Sequence, residues 1–219
     1  MPVITISRQY GSGAKEIAMR VCEILGYSYF DKNLMARVAS EVGLAEHDIV
    51  DFSEDTYKMR SLFERLFGRR RQRSDAWGPE TSAATKLQVE LLDEAMSVNL
   101  VKDTVIAAHK HDNIVIVGRG GQAILQHEPG VLHVRITAPL GARTMRIKER
   151  EYMDLDDATN LVKSKDQNAA AYLQRFFDID WDNPLLYHLC INTGKWELND
   201  ATDIIINALS RLKTGYTAG

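Results

Sequence analysis

Residues 9–15 read QYGSGAK and lie between the apolar run VITIS and the helical pattern EIAMRVCEIL. Glycines at 11 and 13 let backbone amides turn inward. A helix starting there offers unpaired N–H groups and the positive end of its dipole to an anion. The chemistry such a turn could do is phosphate binding. The full phosphate-loop pattern G-x-x-x-x-G-K-[ST] uses its lysine on the outer phosphates and its hydroxyl on magnesium. Lys15 fits that lysine if Gln9 and Ala14 stand for the two glycines and Glu16 for the hydroxyl residue. Aligned without a gap, Gly11 and Gly13 match, Ala14 takes the lysine's place and Lys15 falls one place late. The plainer reading is a turn whose glycines only permit the chain to reverse. The motif alone leaves all of these open.

Other residue types could also do chemistry. Arg146 and Arg150 are four apart on one helical face, so both can bend toward a polyanion or pair with Glu149, Glu151 or Asp154 on the surface. Asp31 precedes a helical run, where it either caps the helix or holds a ligand hydroxyl or amine. Arg69, Arg70, Arg71 and Arg73 stand near Trp77, a combination that suits single-stranded nucleic acid and suits a solvated linker as well. His109 and His111 fall at a helix end, and the six histidines show no other metal-ligand spacing. Cys22 and Cys190 lack partners at metal-ligand spacing and read as buried thiols. Trp181, Trp196, Phe176 and Phe177 read as core anchors.

The elements that must position these residues follow from periodicity. Strand-like apolar runs occur at Val3–Ser7, Tyr27–Phe30, Asn113–Gly118, Leu132–Thr137 and His188–Asn192. VITIS, NIVIVG and HLCIN are nearly continuous, as expected of strands covered on both faces. Helical patterns run over Lys15–Leu25, Asn33–Val42, Ser61–Phe67, Thr85–Lys110, Gly121–His127, Leu140–Tyr152, Asp156–Phe177 and Asp200–Leu212. Strand and helix in alternation predict a three-layer α/β/α sandwich around a five-stranded parallel sheet. Two intervals are longer than one crossover needs. Residues 43–84 hold the arginine-rich stretch and read as an inserted flap, and residues 140–186 read as a helical lid, both over the carboxyl ends of the strands. Two solvated helical hairpins are the plainer alternative.

Composition sets the outer limits. At 219 residues, 45% apolar and 26% charged, the chain can bury one substantial core. No apolar run nears the roughly 18 residues of a membrane span, and the expectation is a cytoplasmic protein. A formal net charge of −3 disfavours nucleic acid as a partner.

Taken together, ITISRQYGSGAKEIA, YSYFDKNLM, IVIVGRGG and YHLCINTG resemble the cytidylate kinase-like family within the nucleoside monophosphate kinases. The resemblance touches all five strands. It implies one P-loop kinase-like domain over 1–219 and transfer of the ATP γ-phosphoryl group to a nucleoside monophosphate, CMP or dCMP, or to a related small acceptor. Gly11, Ser12, Gly13, Ala14, Lys15 and Glu16 would then hold the donor, with the amides of Ser12 to Lys15 as the cradle. Lys15, Arg146, Arg150 and Asp166 would act on the transferring group, and Asp31, Arg37 and Arg119 would face the acceptor. Mg2+ would bridge the donor phosphates, with Glu16 or Ser12 reaching it through water and no residue ligating it directly. The sequence departs from the family at Gly120, where an aspartate is expected, and at Asn168 and Ala169, where a basic residue is expected. These departures keep a second class open, a nucleotide-binding regulator or sensor with the kinase fold and little turnover. A homodimer also stays open.

Overall fold

The computed structural model describes residues 2–30, 34, 35, 38 and 98–212. Asp31, Arg37, the interval 43–84 and the arginine cluster with Trp77 lie outside the described residues. In chain order the described elements are β1 (Val3–Arg8), α1 (Ala14–Leu25), β2 (Ser28–Tyr29), α2 (98–110), β3 (Ile114–Val117), α3 (Gly121–Ile124), β4 (Val131–Thr137), α4 (Leu140–Glu151), α5 (Leu155–Phe177), β5 (Leu189–Asn192) and α6 (Leu198–Ser210).

The sheet has the order β2-β3-β1-β4-β5 and every neighbouring pair is parallel. With helices on both faces, this is the three-layer sandwich the alternation predicts. From β3 the chain crosses over β1 to reach β4, so the direction of winding reverses around the central strand. Its carboxyl end is where such sheets form their binding crevice.

Strand β1 is buried on both faces, as its central place requires. Ile4 and Ile6 pack with Ile17, Ala18 and Val21 of α1 and Ile205 and Leu209 of α6. Val3 packs on the other face with Ile114 and Ile116 of β3 and Val101, Val105 and Ala108 of α2. In α1 the buried positions Ala14, Ile17, Ala18 and Val21 fall on one helical stripe, and Gly26 ends the helix in the left-handed region at φ 66.

The second face turns polar toward the carboxyl end. Thr5 and Ser7 lie opposite His133 and Arg135, and all four are buried. Thr5 Oγ1 is 2.7 Å from His133 Nδ1, and the His133 backbone N–H donates to His188 Nδ1 at 2.9 Å. Burial, helped by the charge of His188, pushes the His133 imidazole down to about 4. Arg135 donates to Ser7 Oγ at 3.0 Å and Asp182 Oδ1 at 2.5 Å and lies 4.3 Å from the Trp181 ring centroid. This arginine ties the segment between α5 and β5 to the sheet.

Several sequence expectations are corrected. The α3 helix stops at Ile124 instead of His127, and residues 125–127 form a turn that leads to Pro129 and the left-handed Gly130. In β5 only Ile191 is buried, since the strand lies at the sheet edge and α6 covers one face. Cys190 is therefore exposed and Cys22 half-buried, so neither is a fully buried thiol. Trp181 is a core residue as expected, but Trp196 is 51% exposed on the turn after β5.

Candidate phosphate-binding site

The turn after β1 is shaped by two glycines in the left-handed region, where only glycine is at ease. Gly11 has φ 79, and a Cβ there would stand 2.9 Å from the carbonyl oxygen of Arg143 and 3.0 Å from Ile147 Cγ1. Gly13 caps α1 at φ 83, and a Cβ there would stand 2.6 Å from Leu198 Cδ2. With Gly13 as the cap, Ala14 opens the helix and Lys15 is its second residue. The structure thus adopts the alignment without a gap.

The Ser12 N–H donates back to Gln9 O at 3.2 Å, so that amide is spent inside the turn and not in the expected cradle. The first helical bond runs from Ile17 N–H to Gly13 O at 3.1 Å, which leaves the amides of Ala14, Lys15 and Glu16 ahead of it. The Ser12 side chain is 1% exposed and its Oγ has no hydrogen-bond partner. A buried, unpaired hydroxyl beside a helix N-terminus is a costly arrangement that an anion in the turn would relieve. Above it opens a cleft of about 530 Å³, lined among others by Arg8, Ser12, Lys15, Glu16, Arg150 and Glu151. Past Glu16 and Met19 a second hollow of about 420 Å³ continues along α1 to Leu198 and Asn199.

Helices α4 and α5 brace the turn. Asp166 accepts from the Tyr10 backbone N–H at 2.8 Å through one oxygen and from Arg143 Nη1 at 2.6 Å through the other. Arg143, 5% exposed, also donates to Ala138 O and Tyr10 O at 2.8 and 3.1 Å. Arg146 reaches Gly11 O at 3.4 Å and both oxygens of Thr193 at 3.0 Å, and the Thr193 hydroxyl donates to Ser12 O at 2.7 Å. Arg150 donates to Tyr10 Oη at 3.0 Å and Glu151 Oε1 at 2.9 Å, and Arg150 and Lys165 both lie over the Tyr10 ring. Burial works against the Arg150 charge, but the Glu151 hydrogen bond and the charges of Tyr10, Glu151 and Glu16 outweigh it and raise the guanidinium pKa.

The sequence-predicted residues thus divide. Gly11, Ser12, Gly13, Ala14, Lys15 and Glu16 form the turn and first helical residues, and Arg146 and Arg150 reach the turn from one face of α4. Asp166 meets the loop backbone and does not line the cleft. Arg119 sits after β3 at φ 61, 8% exposed, against the sulfur of Met35 and 5.4 Å from the Phe30 ring centroid. Sequence reasoning missed Arg8, Tyr10, Arg143 and Thr193. For Arg143 a signal existed, since its spacing from Arg146 and Arg150 places all three on one side of α4.

A 2-3-1-4-5 parallel sheet with a glycine turn leading from its central strand into a helix defines a protein of the P-loop kinase type. Among solved structures, one of an uncharacterized protein from Eubacterium ventriosum aligns with a TM-score of 0.63 at 21% identity, covering 96% of this chain and 99% of that one. Shikimate kinase from Acinetobacter baumannii aligns with a TM-score of 0.50 at 12% identity, covering 98% and 96%. The sequence profile of the cytidylate kinase-like family matches residues 3–195, and the chain belongs to that family, as a nucleoside monophosphate kinase-like phosphotransferase. Relatives include the cytidylate kinases of Methanothrix thermoacetophila, 23% identical over 96% of this chain and 99% of the relative, and of Methanocaldococcus jannaschii, 24% identical over the same shares.

Proposed function

We propose that the protein transfers the terminal phosphoryl group of ATP to a nucleoside monophosphate, with CMP or dCMP the first candidates, or to another small phosphate-bearing acceptor. The observation that carries this reading is the Gly11–Lys15 turn, with Ser12 Oγ buried and unpaired beside the opening amides of α1. Phosphoryl transfer asks the protein for alignment, charge neutralisation and exclusion of water. The amides of Ala14, Lys15 and Glu16 and the Ser12 hydroxyl hold the donor's inner phosphates. Lys15 and Arg150 neutralise the outer ones from either side of the cleft. Arg143, Arg146 and Asp166 fix the turn so that these groups stand ready. Arg119, with Asp31 and Arg37, belongs to the acceptor side. Glu16, on the cleft wall, is the carboxylate suited to hold Mg2+ through one of its waters, and the ion would supply neutralisation of the donor's charge. Among the described residues no helix is long and apolar enough to cross a membrane, and the reading places the enzyme in the cytoplasm.

One observation favours a second reading. Ala14 stands where the phosphate-loop lysine belongs, so the site could bind nucleotide as a sensor with little turnover. Calorimetric titration with a β,γ-imido ATP analogue, with and without Mg2+ and CMP, followed by a kinase assay over a panel of monophosphates, separates the two. Magnesium-dependent binding tightened by a monophosphate, with turnover on it, supports the kinase; binding without turnover on any acceptor supports the sensor. No nucleotide binding would remove both.

A further inference from the structure

Set on the turn as it folds, the phosphate-loop pattern loses one cation and gains another. With Gly13 at the second glycine's place, Ala14 occupies the lysine's place, Lys15 the hydroxyl's, and Arg8 the place of the first glycine. Ala14 is 3% exposed and packs with Ile17 and Ala18, so that position offers the cleft its backbone but no cationic side chain. Six residues earlier, at the other end of the same turn, the usual motif has no side chain at all. Here it has the longest cation available. Arg8 closes β1, where its register partner is Ile136, and it lines the cleft with Lys15, Glu16 and Arg150. Alternation along the strand puts Ile4 and Ile6 on the α1 face and Thr5 and Ser7 on the other, so Arg8 projects on the α1 side, where the turn lies.

The three cations lining the cleft differ in how they are held. Arg150 rests on Tyr10 and Glu151 at the end of α4. Lys15 extends from the exposed face of α1. Arg8 alone of the three rises from the central strand, the most rigid base for a side chain that must be in place before its ligand arrives.

We propose that Arg8 is the transposed counterpart of the missing loop lysine, gripping the terminal phosphate of a bound nucleoside triphosphate by a two-pronged guanidinium contact. The inference rests on the phosphotransferase reading above. An arginine in this role offers two parallel donors where a lysine offers a point charge. With the α1 amides on the inner phosphates, the group that Arg8 grips is the γ-phosphate, which ATP carries and ADP lacks, so the residue separates triphosphate from diphosphate.

The test compares the affinities of the β,γ-imido ATP analogue and of ADP, by calorimetry with Mg2+, for the unaltered chain, Arg8→Gln and Arg8→Lys, with thermal melts of each. Arg8→Gln is expected to lose about tenfold or more in affinity for the analogue and less than about twofold for ADP, with Arg8→Lys in between, as befits loss of charge-assisted hydrogen bonds. Equal losses on both ligands, or none on either, overturn the role of Arg8 and leave the phosphotransferase reading standing. Should Arg8→Gln fail to melt cooperatively, the analogue-to-ADP ratio of Arg8→Lys decides alone: an unchanged ratio rejects the proposal. If the unaltered chain binds neither nucleotide, the parent reading fails first and takes this one with it.

Discussion

The turns after β1 and β3 are built from similar residues, G-S-G and G-R-G-G, on neighbouring parallel strands, and they meet different fates. After β1, the positive φ angles fall on Gly11 and Gly13, on either side of Ser12. After β3, Gly118, Arg119 and Gly120 are all left-handed, at φ 72, 61 and 69, and the Gly121 N–H closes on Gly118 O at 3.1 Å. The first turn leads into a helix of 12 residues and the second into one of 4, so only the first has a substantial dipole behind its amides. Their surroundings differ as well. Polar braces from α4 and α5 hold the first turn at its rim and leave a cleft above it, whereas Phe177 lies directly on the second. Glycine content does not make a phosphate site; the following helix and whatever covers the turn do.

The sharpest way to break this contrast is to remove the brace. Asp166→Ala leaves the nearly buried Arg143 without its carboxylate and is expected to cost about 3 kcal/mol in urea unfolding, as lost partners of buried ion pairs do. Donor binding should weaken with it, and Asp166→Asn, which keeps an acceptor for the Tyr10 amide, should cost less. Next comes Gly11→Ala, which forces a side chain into a left-handed position against a backbone oxygen. A loss of about 2 to 3 kcal/mol is expected, with nucleotide binding abolished; full binding with normal stability would mean the turn is not the cradle.

Acid tests the polar seat beneath the second turn, where Gly121 packs on Thr5 and Thr5 pairs with His133. The folded His133 is held down to about 4 from its ordinary 6.5, so the unfolded chain binds more protons between those values. Its contribution is complete above pH 7 and is lost as pH falls from 6.5 toward 4, with roughly 2 kcal/mol gone by pH 5 on this account. Melts of the unaltered chain and of a His133→Gln variant, compared at pH 7.5 and 5, should show a steeper loss in the former, the remainder coming in part from His188, which burial also holds down. The smallest effect is expected from Gly120→Ala. The left-handed position and the Phe177 ring at 2.8 Å suggest about 1 to 2 kcal/mol of stability, while affinity for the ATP analogue stays within about twofold. A large loss of donor affinity there would mean that the two turns are not separate in role.

Much of the scaffold was legible because the signals are local. VITIS followed by a 3.6-residue apolar stripe can hardly be anything but a buried strand and its crossover helix. The edge position of β5 was not legible, since strand order is set by pairings between segments far apart in the chain, and Cys190 was misplaced for that reason. The register of Lys15 was ambiguous until the φ of Gly13 fixed the start of the helix. The spacing of Arg143 from Arg146 and Arg150 was readable, but its burial was not, since that depends on Asp166, 23 residues away, and on the carbonyl of Tyr10, 133 residues away. The His133 and His188 pair lies 55 residues apart and carries no mark in the sequence.

Tyr10 is held at four points by the α4–α5 hairpin: its amide by Asp166, its carbonyl by Arg143, its ring by Arg150 and Lys165, and its hydroxyl by Arg150. The amide proton of this one residue is therefore a clock for the hairpin. It exchanges with solvent deuterium only when Asp166 lets go, so its exchange rate reports how often α5 lifts from the loop, and a nucleotide that clamps the hairpin would slow that single proton far more than its neighbours in β1.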